Sequence, residues 1–269
     1  MIISVMLFSL SPLLFLTING CGTLANGRGW GQDATLSPGW DRIKRAAIKA
    51  ASSPETWAPV AAALAVQIDD LDGRISDWAS KNKPIFGSRD HADEWSDHLV
   101  NSSGAVYLIT VLATPSGDDP LEWSKSKLKG LMVGTAAWGL TAGASDLLKG
   151  ALARTRPDGS DNRSLPSGHT SAAASFTTLA RYNIQTLSLP SKRAAVMKMG
   201  VACIAAGTAW ATIEADRHYP SDVLLGYALG RFLSAFINDA FMGIDFKKEA
   251  FFIIDPSKDG VMVSMRWQH

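Results

Sequence analysis

Sixteen consecutive residues between Lys129 and Asp146 carry no charge, and neither do the fifteen between Lys198 and Glu214. Both runs are rich in Ala, Gly and Thr. A membrane span needs roughly 20 predominantly apolar residues, so these runs are expected to be buried helices. A third run, nineteen residues bracketed by His98 and Asp118, is diluted by Asn101, Ser102, Ser103 and Pro115. Together they predict a water-soluble body of packed helices.

The 3.6-residue pattern extends over about Leu99 to Ala113, Leu121 to Ala153, Ser167 to Leu187, Lys192 to Ile213 and Ser221 to Asp239. Upstream, Pro38 to Ala51 sets Trp40, Ile43, Ala47 and Ile48 against Asp41, Arg42, Lys44, Arg45 and Lys49, the pattern of an amphipathic surface helix. Pro54 to Ile68 follows, opened by a Ser-Pro-Glu helix start. After Phe246 the pattern changes: Ala250 to Ile254 and Val261 to Trp267 are β-prone runs separated by a Pro-, Asp- and Gly-containing turn. The expected fold class is all-α, a single helical bundle over 40–245 with a C-terminal β-hairpin over 246–269.

The first twenty residues hold no ionisable side chain, and Val5 to Leu16 is an apolar core broken only by Ser9, Ser11 and Pro12. That is too short for a span and fits an export signal, 1–20, to be set apart from the fold. Ile18-Asn19-Gly20-Cys21 resembles the lipobox of a bacterial lipoprotein, although Asn19 and the lack of Lys or Arg near Met1 depart from it. The resemblance implies an acylated Cys21, a membrane anchor at the N-terminus and a location on the outer side of a cell membrane. Residues 21–39, Gly-rich and polar, are expected to be a tether, and Cys203, the other cysteine, a small core residue.

The 26 Lys and Arg balance 25 Asp and Glu, for a net charge of +1, which gives no footing for a nucleic-acid partner. Asp69, Asp70 and Asp72 before Gly73 lack a first acidic ligand at Ile68 and read as a solvated turn rather than a calcium loop. His91, Asp93, Glu94, Asp97 and His98 crowd one stretch; an exposed acidic first turn accounts for them more simply than a metal.

Three pieces carry chemistry. Ser167 begins a helix whose unpaired N–H groups and macrodipole attract anions, Gly168 lets a ligand approach the backbone, and His169 can exchange a proton near neutral pH. Lys149 and Arg156 lie two helical turns apart before Pro157, two cations suited to a phosphate dianion. His218 lies just ahead of a helix started by Pro220, with Asp222 in the first turn where a carboxylate can reach back to an imidazole.

In order and spacing, Lys149-x6-Arg156-Pro157, Pro166-Ser167-Gly168-His169 and His218-x3-Asp222 resemble the signature of the type 2 phosphatidic acid phosphatase superfamily, which includes acid phosphatases, lipid phosphatases and vanadium haloperoxidases. The resemblance implies His218 as nucleophile through a phosphohistidine, Asp222 as its orienter and His169 as general acid, then base. Lys149, Arg156, Ser167 and the Gly168 amide would hold the phosphoryl oxygens. It implies a phosphomonoester or lipid (di)phosphate substrate and no cofactor or metal; the alternatives are a vanadate-dependent haloperoxidase and a weakened phosphate- or headgroup-binding lipoprotein. One position departs: the family's third motif has Arg six residues before the nucleophile, where this chain has Thr212. Arg154 and Arg217 are the nearby candidates to replace that charge.

Overall fold

The computed structural model describes residues 20–244 in full and the backbone of 251–257 and 260–266. The segment expected to be an export signal, 1–20, therefore lies outside the described residues apart from Gly20. The helices are α1 (Trp40–Ser52), α2 (Pro54–Ala65), α3 (Leu71–Asn82), α4 (Arg89–Ala113), α5 (Pro120–Leu152), α6 (Gly168–Thr186), α7 (Ser191–Glu214) and α8 (Pro220–Phe241). A 3-10 turn, Ile68–Asp70, joins α2 to α3. At the C-terminus β1 (Phe251–Ser257) pairs antiparallel with β2 (Gly260–Arg266), Phe251 opposite Arg266.

Local chemistry sets the helix starts. Ser88 Oγ accepts from His91 N at 3.1 Å, so α4 begins ten residues before the apolar pattern does and takes the acidic, His-rich stretch into its first turns. Asp119 accepts from the amides of Leu121 and Glu122 ahead of Pro120, and Pro220 opens α8.

Helix α6 lies in the centre, packed by α4, α5, α7 and α8. Leu99, Val106, Ile184 and Val201 form one apolar cluster, and Tyr107, Val133, Leu179 and Ile237 another. Small residues bring α8 onto the α6 backbone: a Cβ at Gly230 would stand 2.2 Å from the Ser171 carbonyl oxygen, and one at Gly226 2.6 Å from that of Ser167. Any side chain there would push the two helix starts apart, and with them the residues they carry.

Four expectations need correction. Residues 21–39 are not a free tether: Trp30 is buried in the second cluster, its amide donates to Pro115 O at 2.7 Å, and Gly22 N donates to Asp118 Oδ1 at 2.8 Å. Beneath Trp30, Lys127 is buried over the Trp30 and Trp123 rings, donates to Thr114 O at 2.6 Å, and is pushed down to about 7 by burial. A lone indole in a polar sequence hid this docking. In α1 the buried positions are Ala46 and Ala50, while Trp40 and Ile48 are exposed, because Arg42 and Lys49 turn inward to the Asp239 carbonyl and carboxylate on α8. Cys203 is exposed on the outer face of α7 rather than in the core.

The fourth concerns the bundle's surface. By length and composition α7 could cross a membrane, and half of its apolar stretch is buried inside the bundle. Ile109, Leu112, Met132, Leu140 and Met199, within the uncharged runs expected to be buried, are instead exposed on the outside of α4, α5 and α7.

Candidate active site

The C-terminal end of α5, the first turn of α6, the turn after α7 and the first turn of α8 converge at one end of the bundle. Two backbone bonds fix this meeting: Ser164 N donates to Arg154 O and Ser167 N to Asp222 O, each at 3.0 Å. Ser167 caps α6, its Oγ accepting from Thr170, and Gly168 follows so closely on Lys149 that a Cβ there would stand 3.0 Å from the ammonium. The amides at this helix start and the Lys149 charge therefore face the same small volume.

His218 is delivered by a tight turn. Asp216 takes a left-handed conformation (φ 65°), which Asp tolerates better than most residues, and Arg217 N and His218 N both donate to Thr212 O. The imidazole is only 2 % exposed. Its Nδ1 stands 3.8 Å from Asp222 Oδ2, beyond hydrogen-bond range, and has no hydrogen-bond partner. The expected carboxylate–imidazole bond is thus an approach rather than a bond, because Asp222 is occupied. Its Oδ2 accepts from Ser164 Oγ at 2.5 Å and Tyr219 N at 2.9 Å, and its Oδ1 from Arg154 at 2.7 Å.

The charges follow from these contacts. Burial pushes His218 below the ordinary imidazole value; Asp222 opposes that, while Arg156 and Lys149 add to it. Burial also lowers Lys149, as does the Arg156 charge. Burial would raise the Asp222 carboxyl, but the neighbouring His218, Ser164 and Arg154 outweigh it and hold Asp222 below the usual carboxylate range. Two half-buried cations beside an imidazole whose protonation burial opposes make a site that gains by taking in an anion.

Arg156 is steered by Asp161 Oδ1 at 2.7 Å and by Arg217 O at 3.3 Å. The side chain of Arg217 turns away to Asp93 and Asp158, and Arg154 lies over the Tyr219 ring and holds Asp72 and Asp222. Neither therefore stands in for the charge missing at Thr212, which is 1 % exposed and bonds back to Ala209 O.

Sequence reasoning missed four contributors. Asp97 Oδ1 meets His169 Nε2 at 2.8 Å at the open side of the site. The acidic stretch of α4 is thus used: Asp97 holds the imidazole and Asp93 holds Arg217. Among the described residues, no three His, Cys, Asp or Glu side chains gather as a metal site. Asp72, expected in a solvated turn, is buried and bonded to Arg154 and Ser221, and Ser164 and Ser221 complete that group. Nothing in the sequence pairs residues 82 positions apart. Cys21 is at the other end of α5, a helix that runs about 43 Å from Pro120 to Lys149 at 1.5 Å per residue.

A family model described as PAP2 superfamily matches residues 86–243, more than half of the chain. The chain belongs to the PAP2 superfamily. Among solved structures, the transmembrane PAP2-type phosphatidylglycerolphosphate phosphatase from Bacillus subtilis is 21% identical, with a TM-score of 0.50, over 71% of this chain and 94% of that one. That likeness is one of fold. No curated protein matches the chain. The PAP2 match includes all three motifs and begins after Asp72.

One prediction concerns His169 in this PAP2 site. If Asp97 keeps the imidazole aligned for proton donation, Asp97→Asn should slow release of a poor, alkyl leaving group by about tenfold, part of the roughly 10²- to 10⁴-fold that acid catalysis supplies, because His169 itself remains. Release of p-nitrophenol, which needs little protonation, should change far less. Equal losses on both substrates would show that Asp97 does not serve the acid.

Proposed function

We propose that this PAP2 protein is a phosphatase that hydrolyses a phosphomonoester or a lipid (di)phosphate through a phosphohistidine, without a metal. The observation that carries this reading is that the half-buried Lys149, Arg156 and Gly168 helix start gather around the buried His218. His218 Nδ1 faces Asp222, which leaves Nε2 to attack phosphorus. The P–N bond forms as the P–O bond to the leaving group breaks, and His169 gives that oxygen its proton. His169 then takes a proton from water, which attacks phosphorus and releases phosphate and free His218. Lys149, Arg156, Ser167 and the Gly168 amide hold the phosphoryl oxygens as their charge grows.

The outward apolar side chains of α4, α5 and α7 favour a lipid-bound phosphate over a soluble one. We further propose export, with Cys21 acylated: Cys21 is exposed.

The test is phosphate release by the purified full chain from p-nitrophenyl phosphate and from a lipid phosphate, with a chelator present. Hydrolysis of either supports the reading. No hydrolysis of any phosphoester would favour a protein that only binds the group, a reading that Thr212 supports, and halide oxidation with added vanadate would reveal a haloperoxidase.

The pH dependence has a definite sign. The nucleophile must be neutral, and burial lowers the His218 pKa from 6.5, so the imidazole stays neutral to more acid pH. With the substrate's own ionisation measured separately, the acid limb of kcat/KM is expected below pH 6.5. An acid limb at or above that value would mean that burial does not govern His218.

A further inference from the structure

We infer that Asp72, which lies outside the matched family region, is a positioning residue for phosphoryl transfer: through Arg154 and Ser221 it sets the Asp222 carboxylate behind the nucleophile. The inference rests on the phosphatase reading of the site.

Asp72 lies in the first turn of α3, is 3 % exposed, and spends its carboxylate on other elements. Its Oδ1 accepts from Ser221 N at 2.8 Å; its Oδ2 accepts from Ser221 Oγ at 2.5 Å, from Arg154 at 2.8 Å and from Gln67 Nε2 at 3.1 Å. The other guanidinium nitrogen of Arg154 donates to Asp222 Oδ1 and to Ser221 Oγ, both at 2.7 Å. One cation is therefore shared between two buried carboxylates, with the Ser221 hydroxyl bridging Arg154 and Asp72.

Sharing has a consequence for His218. An arginine fork closes on a single carboxylate through two parallel bonds when nothing competes for it. Asp72 competes: it takes one side of the fork, so Asp222 keeps its Oδ2 free of Arg154 and turned toward His218 Nδ1. Without Asp72, Arg154 is free to close on both oxygens of Asp222, draw it from the imidazole and neutralise it more fully. The phosphate-holding groups Lys149, Arg156 and Gly168 make no bond to Asp72, so the effect belongs to the attack and not to phosphate binding.

A residue that merely capped α8 would change stability alone. The test compares wild type and Asp72→Asn as full chains by kcat, KM, inhibition by inorganic phosphate, and thermal midpoint. Asp72→Asn is expected to lose about tenfold or more in kcat, the effect of about one charge-assisted bond, with KM and phosphate inhibition within about twofold of wild type. A kcat within about twofold of wild type would overturn the inference, whatever the midpoint does, and so would equal losses in kcat and phosphate affinity. If Asp72→Asn does not fold, Ser221→Ala, which removes only the joining hydroxyl, takes its place, with a severalfold loss of kcat expected and none overturning the inference. Absence of hydrolysis by the wild type would instead remove the phosphatase reading itself, and the positioning role with it.

Discussion

Replacing His218 with alanine is expected to lower phosphate release by about 10³-fold or more, the scale on which loss of a covalent nucleophile is felt. No other side chain can take its place. His169 is held at the open side by Asp97, Lys149 and Arg156 are cations, and the Ser167 hydroxyl is tied into the α6 cap by Thr170. The backbone bonds of residues 217 and 218 to Thr212 O do not depend on the imidazole, so the turn should survive the substitution. Lys149, Arg156 and the α6 start also remain, so inorganic phosphate should still inhibit or bind. Turnover and phosphate binding measured on one preparation separate the two effects: lost turnover with retained binding is expected. A loss of less than about tenfold would mean that water attacks phosphorus directly.

The second large effect is a gain. Thr212→Arg is expected to raise kcat/KM by about ten- to two-hundredfold, because a charge-assisted bond of about 1.5 to 3 kcal/mol would be restored to the transition state. The structure sharpens this expectation. Arg154 is bound between Asp72 and Asp222, and Arg217 is bound to Asp93 and Asp158, so neither is available to compensate. The Thr212 side chain gives up only a bond to Ala209 O within its own helix. Because the position is buried, the thermal midpoint must be followed alongside the rates, so that overpacking is not mistaken for lost function. Equal rates in a well-folded variant would show that the site is complete without that arginine.

The helices and the motif residues were legible because both are local. A 3.6-residue pattern marks a helix wherever it packs, and Pro220 and Ser167 mark helix starts; Pro157 does not end α5, which stops at Leu152 with Ala153 left-handed, so Arg156 reaches the site from the following loop and not from a helix face shared with Lys149. What the sequence withheld was long-range pairing. Asp72 reads as solvent-facing because it stands with Asp69 and Asp70 in an acidic turn before Gly73, yet it is the one that turns inward to Arg154 and Ser221. Asp97 looked like part of an acidic helix start, since nothing local ties it to His169, 72 residues on. Trp30 was masked by the polar residues around it, although its indole needs burial more than they need water. The surface of α4 and α5 was also misread: counting uncharged residues gives helix length but not which apolar side chains stay outside.

Covalent transfer to His218 is decided by trapping the intermediate. The full chain would be mixed with a substrate carrying a labelled phosphoryl group, quenched within one turnover and digested to locate the label. The account predicts an acid-labile, alkali-stable phosphoryl group on the peptide that contains His218, absent in His218→Ala. Hydrolysis with no labelled protein at any quench time, or label on another residue, would contradict it.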